Sequence, residues 1–160
     1  MMGLHDELGY QKPFGHRGHE ALLNIVLTGE ILKKEGQKIL SPFGITDAQF
    51  NVLMLLNYQS EDGRLNQTEL GNMLLVNRSN VTGLIDRMEK TGLVRRVSDE
   101  YDRRINLVEI TPEGSKIMDS AQKAYFSRID KIMADLSDSE KQNLCSFMEM
   151  IRKQVFNGGK

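Results

Sequence analysis

Apolar residues recur along this chain at spacings of three and four, interrupted once by two short stretches of β-type composition. Leu22, Ile25, Gly29, Leu32, Gly36 and Ile39 form the first stripe and predict a long helix over 16–40. Its two glycines weaken a helix but let another backbone approach closely. Before it, residues 1–15 hold Gly3, Gly9, Pro13 and Gly15 with little periodicity, and read as an extended arm. Ser41-Pro42-Phe43-Gly44 ends the long helix. Thr46 and Gln49 then have capping-box spacing, opening a second helix that buries Phe50, Val52, Leu53, Leu55 and Leu56.

The stretch from Gln59 to Arg64, with Asp62-Gly63, reads as a turn. Asn66 with Glu69 caps a third helix, whose Leu70, Met73 and Leu74 face inward. After Leu75–Val76, Asn77 can cap a helix running to about Thr91, with Val81, Leu84, Ile85 and Met88 as its buried face. Gly92 occupies the place of a left-handed C-terminal cap, and Leu93 follows it into the core. Leu93–Val97 and Ile105–Ile110 predict two strands joined by the polar turn SDEYDRR. Thr111-Pro112-Glu113 starts a further helix carrying Met118, Ala121, Tyr125, Ile129, Ile132 and Leu136. Ser137 with Glu140 starts the last, with Leu144, Met148, Ile151 and Val155 on one side.

The fold class is therefore mainly α with a small β-hairpin. The order helix-helix-helix-helix-strand-strand-helix-helix contains the parts of a winged helix-turn-helix lobe. The apolar stripes of the N- and C-terminal helices exceed what one chain's common core would cover. A self-contained bundle is one solution, and packing against a second copy in a two-fold dimer is the one favoured here.

Composition excludes several classes. At 160 residues the chain suits one domain with a substantial core. No apolar run approaches the ~20 residues of a membrane span. MMGLHDELGYQK lacks the basic start and apolar stretch of a secretory signal. The single cysteine, Cys145, rules out an internal disulfide framework and suits a reducing compartment. A cytoplasmic protein without membrane or cofactor is the expectation.

The net charge of −1 speaks against a nucleic-acid partner only if charge is evenly spread. It is not. Arg78, Arg87, Lys90, Arg95 and Arg96 face only Asp86 and Glu89 between Val76 and Arg96, a local surplus of three positive charges. With the apolar face of the 77–91 helix turned inward, the opposite face shows Arg78, Ser79, Asn80, Thr82, Gly83, Asp86 and Arg87. Arginine, asparagine, serine and threonine match base-edge donors and acceptors in the major groove, and Gly83 offers no obstructing side chain. A plain solvated face has the same composition. The hairpin tip shifts the balance, because Asp102-Arg103-Arg104 places two cations on a narrow turn suited to the minor groove. Asp102 can hold the Arg104 guanidinium in a fixed pose.

The segment LLVNRSNVTGLIDRMEKTGLVRRVSDEYDRRINLVEITPEG, residues 74–114, resembles the MarR-type winged-helix transcriptional regulators. The matching parts are Ser79-Asn80-Val81-Thr82, then Met88 to Arg96 with Gly92-Leu93-Val94. Asp102-Arg103-Arg104 and Ile110-Thr111-Pro112-Glu113-Gly114 follow. Met88 and Ile110 stand where the family usually has leucine, both conservative core exchanges. The resemblance implies an N-terminal arm over 1–15 and a single MarR-type domain over 16–156. Within it, 16–45 and 112–156 would be dimerisation helices and 46–111 the winged-helix DNA-binding lobe. It further implies a homodimer on a pseudo-palindromic double-stranded DNA operator, usually as a repressor. Arg78, Ser79, Asn80, Thr82 and Arg87 would contact bases and phosphates from the recognition helix, with Arg104, Asp102 and Arg103 on the wing. A small anionic or aromatic effector that releases DNA is a tendency of the family.

Other chemistry is thinly represented. His16, His19 and Glu20 fall within one helical turn, yet a zinc site would need ligands from elsewhere. Cys145 lies among Leu144, Phe147 and Met148, which predicts a buried or half-buried, inert thiol over a redox switch. Met118, Met133, Met148 and Met150 read as core, with an adaptable ligand pocket as the alternative. No phosphate-binding glycine loop, metalloprotease helix or nucleophile with a base is present, so no enzyme is expected. A metal- or redox-responsive regulator, or a winged-helix protein-interaction module, are the alternatives.

Overall fold

The computed structural model describes residues 3–60, 62–74, 80–98 and 106–158. Its elements are α1 (Leu4–Glu7), α2 (Arg17–Leu40), a 3-10 turn (Ser41–Phe43), α3 (Asp47–Tyr58) and β1 (Arg64–Asn66). They continue with α4 (Gln67–Met73), α5 (Val81–Lys90), β2 (Val94–Ser98), β3 (Asn106–Ile110), α6 (Pro112–Ile132) and α7 (Asp138–Asn157). The chain is mainly α with a small antiparallel sheet, as the hydrophobic pattern predicts. By its internal contacts it divides into two units, residues 1–121 and 122–160.

In the first unit, local capping chemistry sets most helix starts. Thr46 Oγ1 accepts from the Gln49 N–H at 3.3 Å while Gln49 Oε1 accepts from the Thr46 N–H at 2.9 Å, fixing the start of α3. Asn66 and Glu69 make the same reciprocal pair at α4, at 2.8 and 3.0 Å. The core gathers Leu40, Val52, Leu53, Leu56, Leu70, Ile85, Met88, Val94, Val108, Met118 and Ala121, all at most 1% exposed. Phe50 and Leu93 add to it at 3%.

Three expectations for this unit need correcting. Residues 1–15 are not wholly extended, because α1 forms one turn and buries Leu4. Asp6 receives the Gly3 N–H at 3.0 Å, a local bond that stabilises this turn without any hydrophobic periodicity. The segment after the 59–64 turn is strand β1, so the hairpin is the larger part of a three-stranded sheet of order β1-β3-β2. Leu65 pairs with Val108 across it, both buried. Met73 is 43% exposed, since α4 is only two turns long and Leu70 and Leu74 already fill its inner side. In α2, Gly29 faces open space, whereas Gly36 is buried with Asp47 Oδ1 only 2.7 Å from where a Cβ would stand.

The junction between α5, β2 and α6 is closed by a clasp of backbone groups. Gly92, at φ 73°, ends α5 in a Schellman arrangement. Its N–H donates to Glu89 O at 3.0 Å, and the Leu93 N–H to Met88 O at 2.9 Å. The Thr111 hydroxyl donates to Gly92 O at 2.6 Å, and its N–H to Leu93 O at 3.2 Å. Thr111 Oγ1 also accepts from the Gly114 N–H at 2.9 Å. A Cβ on Gly114 would stand 2.0 Å from Leu93 O, so only glycine fits.

The second unit holds the end of α6 and all of α7. Ser137 and Glu140 form the predicted capping box, with Ser137 Oγ accepting at 3.3 Å and Glu140 Oε2 at 2.8 Å. No described residue of α7 is buried. Phe126, Leu144, Phe147, Met150, Val155 and Phe156 are all between 40% and 79% exposed. Cys145 is exposed, which corrects the expectation of a buried or half-buried thiol. The reason is that its apolar neighbours on α7 are uncovered within this chain. No single described helix is long and apolar enough to cross a membrane.

Candidate nucleic-acid interface

Helix α5 divides into three faces. Val81, Leu84, Ile85 and Met88 are 0–5% exposed and hold it to the core. Asp86 and Glu89 turn toward the sheet, where Arg96 of β2 bridges them at 2.5 Å to each. The Arg96 N–H also donates to Glu89 Oε1 at 3.0 Å. That backbone bond, with the guanidinium beside it, holds the Glu89 carboxyl below the usual range; the Asp86 hydrogen bond raises the Arg96 pKa. Asp86 thus belongs to the joint between helix and sheet and not to the open polar face on which the sequence placed it.

The third face is open. Asn80, Gly83 and Arg87, at i, i+3 and i+7, fall in one row. Asn80 precedes α5 and makes no side-chain capping bond. Its Oδ1 and Arg87 Nη1 each lie 3.5 Å from where a Cβ on Gly83 would stand, so the row is continuous across the glycine. Among the described residues, Arg87 and Lys90 make no ion pair. Thr82 lies around the flank toward α4, where its Oγ1 accepts from Gln67 Nε2 at 2.5 Å. A polar cleft of about 290 Å³ opens there, lined by Gln67, Thr68, Gly71, Asn72, Val81 and Thr82.

The outer side of the sheet carries a second charge lock. Glu109 of β3 accepts from Arg64 Nε of β1 at 2.9 Å and also from Arg95 Nε of β2. The three stand in register across all three strands. The hydrogen bond from Arg95, seconded by Arg64, holds the Glu109 carboxyl below its ordinary pKa. Two of the five cations in the local surplus, Arg95 and Arg96, are therefore consumed in joining the wing strands to one another and to α5.

The predicted contacts fall unevenly on these faces. Asn80 and Arg87 share the open row and Thr82 stands beside it. Arg78, Ser79, Asp102, Arg103 and Arg104 lie outside the described residues, as does the proposed cap Asn77. Gln67, Thr68 and Asn72 were missed by the sequence reading. Their signal is weak: they follow the cap Asn66 at irregular intervals, and their nearness to Thr82 depends on a contact spanning 15 residues. His16 caps α2, its Nδ1 accepting from the His19 N–H at 3.1 Å, and the His19 ring stands edge-on to Phe14. With Glu20 they form no metal cluster; among the described residues no three His, Cys, Asp or Glu side chains are gathered for a metal.

A helix-turn-helix with its second helix open on one side, followed by a hairpin tied to that helix, defines a winged-helix DNA-binding regulator. Comparison with known proteins agrees. The MarR family model matches residues 43–105. The HTH-type transcriptional regulator FarR of Neisseria gonorrhoeae is 31% identical over 110 residues, covering 69% of this chain and 73% of that protein. The HTH-type transcriptional repressor YetL of Bacillus subtilis is 35% identical over 98 residues, covering 61% of this chain and 58% of YetL. Among solved structures, AbsC, a MarR family regulator of Streptomyces coelicolor, matches with a TM-score of 0.81 at 23% identity, over 92% of this chain and 99% of AbsC. Sco3205 of the same organism, solved in complex with DNA, matches at 0.76 and 21% identity, over 89% and 91%. The chain belongs to the MarR family of transcriptional regulators, a family of regulators and not of enzymes.

Proposed function

We propose that this protein is a cytoplasmic, sequence-specific regulator, acting as a repressor, that binds a pseudo-palindromic double-stranded DNA operator as a homodimer. The observation that carries the reading is the division of α5 into a buried face, a face locked to the wing by Arg96, and the open row Asn80–Gly83–Arg87. The Arg96 bridge fixes α5 against strand β2, so the row is held on the same body as the wing strands. Asn80, Thr82 and Arg87 are assigned to the major groove, and the resemblance adds Arg78 and Ser79 to that set. Arg104, steadied by Asp102 and flanked by Arg103, is assigned to the minor groove.

The dimer reading rests on uncovered apolar surface at both chain ends. Leu22, Val26 and Ile31 of α2 are 54–62% exposed, and Phe147, Val155 and Phe156 of α7 are 55–79% exposed. The segments 16–45 and 112–156 are assigned to dimerisation and 46–111 to the DNA-binding lobe, with 1–15 as the arm. Release by a small anionic or aromatic effector is carried over from the family and is part of the proposal.

The test is selection of duplexes from a randomised library by the full-length protein, followed by affinity measurements against salt. Phosphate neutralisation predicts a slope of several in log K against log salt, on a palindromic consensus. Weak, salt-insensitive binding to every duplex would leave a protein-interaction module as the better reading. On the selected duplex, Arg104→Ala is expected to cost about 1–3 kcal/mol while leaving the dimer intact. Unchanged affinity removes Arg104 from the contact set.

A further inference from the structure

The bond between Gln67 and Thr82 has a consequence beyond packing. Gln67 opens α4, whose start is fixed by the Asn66–Glu69 capping box. Thr82 stands in the first turn of α5. The two residues join the two helices of the helix-turn-helix at their exposed edge, on the rim of the polar cleft. Gln67 is half-buried and Thr82 is exposed, so the carboxamide is held while the hydroxyl still reaches outward.

A threonine hydroxyl has one hydrogen to donate and lone pairs with which to accept. Free in solution it rotates and serves either role, so alone it discriminates poorly between donors and acceptors. Here one lone pair is occupied by the Gln67 N–H. The amide thereby biases the O–H hydrogen away from α4, toward the outer side of α5. Among the described residues no carboxylate lines this cleft. We infer that Gln67 is a positioning residue that fixes the Thr82 hydroxyl as a hydrogen-bond donor, so that Thr82 recognises an acceptor atom on duplex DNA. The partner is a purine N7, a guanine or thymine carbonyl, or a phosphate oxygen, which share the same acceptor chemistry. This inference rests on the DNA-binding reading above and adds to it a residue from the first helix of the motif.

The experiment uses the full-length protein and the duplex that the wild type selects from a randomised library. Affinities are measured for wild type, Thr82→Val, Gln67→Ala, Gln67→Glu and the double variant Gln67→Ala/Thr82→Val. Thr82→Val keeps the shape and removes the hydroxyl; it should weaken binding about tenfold, the scale of one lost hydrogen bond. Gln67→Ala should weaken it several-fold, and the double variant should be no worse than Thr82→Val alone. Gln67→Glu takes the O–H for its own carboxylate, so repeat selection should change the preferred base at one position or lose one phosphate contact.

Probes at single positions separate the acceptors: 7-deazapurines remove N7, 2-aminopurine and 5-methyl-2-pyrimidinone remove the guanine and thymine carbonyls, and methylphosphonates remove a charged phosphate oxygen. Wild type should lose affinity on one of them, and Thr82→Val should be indifferent to that same probe. Multiplicative losses in the double variant, or full sensitivity of Thr82→Val to every probe, overturn the inference while leaving DNA binding in place. Failure of the wild type to enrich any duplex overturns the DNA reading and this inference with it. Urea unfolding midpoints within error of wild type for all variants confirm that the losses are not folding defects; parallel loss of stability and affinity would make Gln67 structural only.

Discussion

Replacing Gly114 by alanine adds one methyl group where the structure has no room for it. The new Cβ would stand 2.0 Å from Leu93 O and 3.2 Å from Ile110 Cγ1. Carbon–oxygen contacts ordinarily lie near 3.3–3.6 Å, so the start of α6 must retreat from Leu93 by about 1.3 Å. A shift of that size breaks the Thr111 N–H bond to Leu93 O, now 3.2 Å, and strains the hydroxyl bond to Gly92 O, now 2.6 Å. Two hydrogen bonds at about 1 kcal/mol each, plus about 1–3 kcal/mol of overpacking, outweigh the ~1 kcal/mol at most that alanine returns as a better helix former. The expected net loss is about 2–4 kcal/mol. Urea unfolding followed by far-UV circular dichroism at a fixed protein concentration measures it. With a slope of about 1–3 kcal/mol per molar, the midpoint should fall by roughly 1 M or more. A midpoint unchanged or raised would refute the account of Gly114 as part of the clasp.

The same exchange at Gly83 should do the opposite to stability. Its Cβ would meet Asn80 Oδ1 and Arg87 Nη1 at an ordinary 3.5 Å, so Gly83→Ala should stabilise α5 by about 0.5–1 kcal/mol in urea. On the selected duplex it should bind about tenfold more weakly, because the methyl lifts the row from the groove, a loss on the scale of one base contact; undiminished affinity in an anisotropy titration would take Gly83 out of the contact surface. Acid should weaken the sheet through Glu109, whose carboxyl is held low by Arg95 and Arg64. A group with a depressed folded pKa contributes stability above its unfolded value, near 4.3, and loses it as pH falls through the folded value. Glu109→Gln should therefore be less stable than wild type at pH 7, with the difference shrinking below about pH 4 in urea titrations; a constant gap across that range would show that the ion pairs carry no pH-dependent stability.

What the amino-acid sequence disclosed, and what it hid, follows from the range of each interaction. Capping boxes at Thr46, Asn66 and Ser137 join residues three apart, and all three appear where the spacing places them. The buried face of α5 and the turn at Gly92 are equally local. Strand β1 was missed because three residues carry no alternation to detect, and its existence depends on β3, more than 40 residues away. Met73 was misplaced because a periodic pattern does not reveal how short a helix will be. Cys145 was misread for another reason: apolar neighbours on a helix signal burial only if something in the same chain covers them.

The candidate site shows the same divide, with a sharper consequence. Two of the stretches that carry the family resemblance, Gly92-Leu93-Val94 and Thr111 to Gly114, supply the clasp through Gly92, Leu93, Thr111 and Gly114, which is a task internal to the fold. Arg95 and Arg96 looked like part of a DNA-facing positive surplus, yet Glu109, Asp86 and Glu89 take both. Counting cations along a sequence therefore overstates the field that a partner would meet, because it cannot see pairings between strands. Among the described residues of α5 and its cap, subtracting those with an internal task leaves Asn80, Arg87 and Lys90, with Thr82 bonded to Gln67. A side chain on a rigid, exposed helix that the fold itself does not use is the more informative sign of recognition. By that criterion the open row and the cleft beside it outrank local charge as the evidence for where this protein meets DNA.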